Sequence, residues 1–177
     1  MEVLQGRPTD ETGRLEKEIA VYDLLDKLDI PFRRVDHVHA DTMEMCQEID
    51  QALGQVICKN LFLCNRQKTK FYLLLMPGDK PFKTKDLSAQ IGSSRLSFGG
   101  AEDMERLLNL TPGSVTVLGL MYDPDCQVTL LIDQDLYQQS AFGCHPCINT
   151  STVQFSTADF REKLLPALGH PVTLVQL

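Results

Sequence analysis

The sequence predicts an α+β fold with a mixed sheet. Three observations carry this: helix-period segments lie near both ends, short apolar runs of strand length are joined by hairpin-length turns, and strands and helices do not alternate regularly. At 177 residues the chain fits one domain, expected over residues 13–177 after a flexible lead-in of residues 1–12.

In chain order, Leu15, Ile19, Tyr22, Leu25 and Leu28 make one helical face over 13–28, with Thr12 available near its start. Ile30-Pro31 ends it, and Phe32 to His37 alternates as a short strand. Asp41 and Glu44 have capping-box spacing, which predicts a short helix to about Ile49. Gln55 to Cys64 is an apolar strand interrupted by Lys59-Asn60. A polar turn at 65–70 joins it to the strand Phe71 to Met76, making a hairpin. After Pro77-Gly78-Asp79, Thr84 to Ile91 reads as a helix closed by Gly92. A brief strand at Arg95 to Phe98 and a helix at Glu102 to Leu110 follow, then a turn at Thr111-Pro112-Gly113. Gln127 to Ile132 is a buried strand and Asp133 to Tyr137 a helical turn. Residues 142–148 form a loop entering a strand at Asn149 to Phe155. Thr157 to Leu168 is a closing helix ended by Gly169, before a last strand, Val172 to Val175.

No apolar run approaches the ~20 residues that span a bilayer, and Met1 to Asp10 lacks a signal-peptide core, so no membrane partner and a cytoplasmic location are expected. Six cysteines in a domain of this size are expected as reduced thiols. The net charge is −7, which by itself argues against nucleic acid. Its distribution does not: from Lys59 to Arg95 eight basic residues face two acidic ones. That segment can form a basic face for one polyanion or a merely solvated hairpin and helix.

Two places stand out chemically. Lys59 lies inside the run Val56 to Leu63, either facing solvent on the strand's polar side or serving as an anion-binding group. The stretch Phe142 to Thr152 concentrates reactive side chains on a bend set by Gly143 and Pro146, which presents His145. Cys144-His145-Pro146-Cys147 has C-x-x-C spacing. It precedes a strand where a redox pair opens a helix, and no second ligand pair completes a zinc shell, so no metal or cofactor is expected. His37-Val38-His39 puts two imidazoles on one strand face, a metal pair or ordinary surface histidines. There is neither a G-x-S-x-G elbow nor a phosphate-binding G-x-x-x-x-G-K-[ST] motif.

Four motifs occur in a fixed order. They are Lys59-Asn60-Leu61-Phe62-Leu63, then Pro112-Gly113-Ser114-Val115-Thr116 with Gly119-Leu120, then His145-Pro146 with Asn149-Thr150, and finally Ala167-Leu168-Gly169-His170. With His37 and Thr42-x-Glu44 ahead of them, the chain from about Leu15 to its end resembles the freestanding aminoacyl-tRNA deacylases of the YbaK/prolyl-tRNA synthetase-associated domain family. The resemblance implies a curved mixed sheet flanked by helices, with an aminoacyl pocket between the Lys59 strand, the Gly113 loop and the His145 loop. It implies trans-editing hydrolysis of mischarged tRNA(Pro), alanyl-tRNA(Pro) first and cysteinyl-tRNA(Pro) as the alternative. Lys59 and His145 would be catalytic; Asn60, Gly113, Ser114, Thr116, Gly119, Pro146, Asn149 and Thr150 would bind substrate. Lys68, Lys70, Lys83 and Lys85 are expected to meet the tRNA, whose acceptor end is the expected partner, with prolyl-tRNA synthetase a candidate second partner. Val117 stands where the family's glycine loop has proline. A catalytically silent tRNA-binding module and a C-x-x-C thiol redox protein are the readings from other classes.

Overall fold

The run Phe71–Met76 shows how the chain builds its core. All six of its residues are buried, because both faces of the strand are covered. Leu73 and Leu75 point into the main core, while Tyr72, Leu74 and Met76 point into a second, smaller one with Leu87 and Leu96. The computed structural model describes residues 1–177.

The strands form two sheets, where one mixed sheet was expected. Strands β1 (Leu4–Gln5), β2 (Arg33–Asp36), β8 (Ser151–Ser156) and β7 (Ala141–Cys144) make an antiparallel sheet in that order. The second sheet has the order β5 (Ser97–Phe98), β3 (Lys59–Cys64), β4 (Phe71–Met76), β6 (Val128–Asp133) and β9 (Val172–Val175). It is mixed: β3 pairs antiparallel with β4 and β5, while β4–β6 and β6–β9 are parallel. The main core lies between the sheets and joins Phe62, Leu73 and Leu130 to Phe142, Val153 and Phe155. Phe142 stacks on Phe160 with ring centroids 4.0 Å apart.

Helix α1 (Glu16–Lys27) buries Val21, Tyr22 and Leu25, the face its periodicity predicts. Thr12 does not cap it, since Leu15 occupies the cap position without a side-chain bond. Helix α2 (Met43–Leu53) runs a turn past Ile49 and ends at Gly54 in the left-handed region. Its cap is Thr42, which accepts from the Met45 N–H, and not Asp41. Helices α3 (Thr84–Ile91) and α4 (Ala101–Leu108) follow their sequence signals closely. The closing helical run passes through Thr157–Asp159 (α5), a π turn at Phe160–Leu164 and Leu165–Leu168 (α6). The widening comes just before Pro166, which has no N–H to give the Glu162 carbonyl.

Three more expectations need correction. Residues 55–58 are not strand; they form an irregular link between α2 and β3, with the Ile57 N–H held by the Asp50 carboxylate at 3.0 Å. Residues 141–144 are strand β7, hydrogen-bonded to β8, so the His145 loop is a hairpin connection over 145–150 and β8 begins at Ser151. Leu4–Gln5, within the expected loose lead-in, pairs with β2.

Candidate active site

The first residue of β3, Lys59, and the His145 hairpin loop meet at one cleft of about 280 Å³. Its walls include Cys46 and Asp50 of α2, Ile57 and Cys58 of the link, Gly78 and Thr152. A second cleft of about 250 Å³ abuts it, lined by Asn60, Gly113, Val115 and Cys144, and the two share Ile57, Cys58 and His145. The partition between them is tightly packed. A Cβ on Gly78 would lie 2.1 Å from the Ile57 carbonyl oxygen, and one on Gly143 would lie 2.5 Å from Ile57 Cδ1. Both glycines are therefore there for close approach.

Lys59 is half-buried, and its Nζ donates to the Lys80 carbonyl oxygen at 2.5 Å. That carbonyl belongs to the turn after β4. The turn is braced by the Lys80 ammonium, 2.7 Å from both Asp133 and Asp135. Lys59 thus carries its charge to the cleft without a carboxylate partner.

His145 Nδ1 lies 2.8 Å from the Ser151 carbonyl oxygen and 3.4 Å from Thr152 Oγ1. A carbonyl only accepts, so in the neutral ring the proton is assigned to Nδ1, and Nε2, with no partner in the protein, is left as an acceptor. Thr152 Oγ1 is also 2.9 Å from Nε2 of His37, whose Nδ1 faces the Val38 carbonyl at 2.7 Å. The two imidazoles sit 6.0 Å apart. Burial pushes the His145 pKa down, against the Ser151 bond, and the nearby His37 adds to the depression. The ring is a neutral base at physiological pH.

The other expected residues divide into those that line a cleft and those that build it. Asn60 and Gly113 line the second cleft. Gly113 takes φ +89°, and neither its N–H nor that of Val115 has an acceptor in the protein. Ser114 is buried and closes the turn by donating to the Thr111 carbonyl at 2.8 Å. Thr116 caps the 3₁₀ helix Val117–Tyr122, and Gly119 lies within that helix, packed against Leu110. Pro146 and Asn149 are buried. The Asn149 amide ties the hairpin loop to Asp41 at 3.0 Å and to the Ala40 N–H at 3.2 Å. The Thr150 carbonyl accepts from the His37 N–H. Val117 uses the N–H that a proline would lack, donating at 3.0 Å to Asn60 Oδ1. That bond fixes the Asn60 amide.

Lys68 and Lys70 sit at the β3–β4 turn, whereas Lys83 and Lys85 sit at the start of α3. All four are exposed and none is ion-paired. The strand rise puts the hairpin turn roughly 17 Å from Lys59.

The C-x-x-C pair does not look like redox machinery. Cys144 and Cys147 are buried free thiols, and burial pushes both up to about 12. No group of three or more His, Cys, Asp or Glu side chains is disposed to hold a metal ion, and His39 is exposed beyond the end of β2. Two residues of the site had no signal in the sequence reading: Ile57, the shared wall, and Asp50, which lies in an ordinary helical stretch.

A two-sheet α+β domain thus brings a lysine, a neutral histidine and backbone N–H groups without protein acceptors to paired clefts, groups of the kind that acyl-ester hydrolysis uses. Residues 37–163 match the aminoacyl-tRNA editing domain family. The prolyl-tRNA editing protein ProX of Acetoanaerobium sticklandii is 31% identical over 163 residues, covering 92% of this chain and 99% of that protein. The prolyl-tRNA synthetase associated domain-containing protein 1 of Danio rerio is 28% identical over 162 residues, covering 90% and 86%. A solved structure of a candidate trans-editing enzyme for prolyl tRNA synthetase shares the fold, with a TM-score of 0.65 over 92% of this chain and 98% of that one at 16% identity. The chain belongs to the aminoacyl-tRNA editing domain family, and it is an aminoacyl-tRNA deacylase.

Proposed function

We propose that this enzyme clears mischarged tRNA(Pro) in trans, with alanyl-tRNA(Pro) as its substrate. The observation that carries this reading is the convergence of Lys59, His145 and the Gly113 loop on two abutting clefts with a tightly packed common wall. The editing protein ProX, related over nearly its whole length, supports the choice of tRNA(Pro).

In this mechanism His145 Nε2 accepts a proton from water as the water oxygen attacks the ester carbonyl carbon. The N–H groups of Gly113 and Val115 meet the carbonyl oxygen as it gains charge. The carbon–oxygen bond to the terminal ribose then breaks, and the ribose oxygen takes the proton back from His145. Lys59 holds the terminal phosphate or the ester, and Asn60 borders the acyl group. The clamped Ile57 wall admits a methyl side chain and clashes with a prolyl ring, the steric half of a double sieve. Lys83 and Lys85 at the start of α3, with Lys68 and Lys70 at the hairpin turn, offer basic contacts for acceptor-stem phosphates.

A deacylation panel with alanyl-, cysteinyl- and prolyl-tRNA(Pro) tests the proposal. Rapid hydrolysis of the alanyl ester with the prolyl ester spared is expected. Preference for the cysteinyl ester reassigns the substrate, and turnover of none of them points to a silent tRNA-binding module.

A further inference from the structure

Asp50 lines the Lys59–His145 cleft and is the sole carboxylate in the wall of either cleft. It is half-buried on α2, one turn before the helix ends. Its Oδ1 accepts the Ile57 N–H at 3.0 Å, whereas Oδ2 has no donor in the protein. No lysine, arginine or histidine forms an ion pair with it, although Lys59 and His145 line the same cleft. Burial pushes its pKa up, and only the Ile57 bond opposes that. A carboxylate partly withdrawn from water without a cation is less favourable in the empty cleft and gains when a ligand brings one.

The substrate class supplies that cation at a fixed place. An aminoacyl ester carries its α-amino group on the carbon next to the reacting carbonyl, and an α-amino group takes up a proton near neutral pH. When the carbonyl lies between His145 and the Gly113 loop, the ammonium must lie within the same pair of clefts. We propose that Asp50 is the subsite for the free α-ammonium group, which makes the enzyme select unblocked aminoacyl esters over N-acylated ones. This rests on the proposed deacylase reading and adds to it a second selection, on the amino group, beside the steric one on the side chain. N-acylated and peptidyl esters then fall outside the substrate range, because an amide has no charge to offer.

Asp50→Asn separates this role from the structural one, since the asparagine Oδ1 still accepts from Ile57 while the charge is gone. Hydrogen bonds to a charged group imply that kcat/KM of the wild-type enzyme for alanyl-tRNA(Pro) exceeds that for N-acetylalanyl-tRNA(Pro) by about 10–100-fold. The Asp50→Asn enzyme is expected to lose most of that ratio by slowing on the alanyl ester alone, at an unchanged melting temperature. Asp50→Ala also removes the Ile57 anchor and is expected to slow both esters and lower the melting temperature. The subsite is wrong if Asp50→Asn slows both esters equally, or if wild-type discrimination survives the substitution. A wild-type enzyme that hydrolyses neither ester contradicts the deacylase reading itself. That failure is distinguishable from one in which both esters are hydrolysed at equal rates.

Discussion

His145 Nδ1 faces the carbonyl oxygen of Ser151 at 2.8 Å, and this single contact decides which ring nitrogen can work on a ligand. Because Ser151 opens β8 and pairs with Asp36 of β2, the imidazole is aimed by the antiparallel sheet and not by its own loop.

The depressed pKa of His145 gives the activity an acid limb. The neutral ring is the active form, so on the acid side kcat/KM is expected to fall only below the ordinary histidine value of 6.5. The same shift bears on stability. The unfolded chain binds this proton more readily than the folded one, so the contribution is intact above pH 6.5 and is lost as pH falls toward the lowered pKa. A pH–rate profile of wild type and His145→Gln checks this, and an acid limb centred above 6.5 in the wild type speaks against it.

Gly78→Ala is expected to damage the site from behind. The added methyl would sit 2.1 Å from the Ile57 carbonyl oxygen, so either the link or the Pro77–Lys80 turn must move, and Lys59 is anchored on that turn. Overpacking of this kind costs about 1–3 kcal/mol. Thermal melts should show the loss, and single-turnover hydrolysis should slow more than the melt alone explains.

The thiols offer two tests, the first of which needs no substrate. Cys46 and Cys126 are exposed, while Cys58, Cys64, Cys144 and Cys147 are buried. Titration of the native protein with an aromatic disulfide reagent should find two fast thiols, and all six in denaturant. The double variant Cys144→Ser/Cys147→Ser is expected to keep most of its activity without added metal. Fast reaction of a third thiol would reopen the redox reading.

Much of the frame was legible because its signals are local. Phe71–Met76 is continuous apolar sequence between turns, and Thr84–Ile91 ends at a glycine that takes φ +66°. Strand β7 was hidden because Gly143 reads as a turn residue. It is glycine for a long-range reason, the approach of Ile57 Cδ1, which no window of sequence contains. Residues 55–58 failed for the converse reason: Val56, Ile57 and Cys58 read as strand but line the cleft, while the backbone is held by Asp50 and not by a ladder. Leu4–Gln5 is too short for any period to show. In the site, Lys59 and His145 stood out as a charge in an apolar run and an imidazole on a bend. Asp50, His37 and Thr152 act through contacts across the fold, and only the structure brings them together.

Neutralising these basic contacts in two halves should separate their roles. Lys83→Gln/Lys85→Gln and Lys68→Gln/Lys70→Gln are each expected to weaken tRNA binding and to reduce the slope of log affinity against log salt by about 1–2. Fluorescence anisotropy over a salt series reads this directly. An unchanged slope in both variants marks these lysines as solvated surface.

The most direct measurement is single-turnover hydrolysis of alanyl-tRNA(Pro) at saturating enzyme by wild type, Lys59→Ala and His145→Ala, each shown folded by circular dichroism. The cleft geometry predicts that Lys59→Ala nearly abolishes the reaction and that His145→Ala loses a substantial part of it, with both spectra unchanged. Near-wild-type rates from the two folded variants are incompatible with ester hydrolysis in the Lys59–His145 cleft.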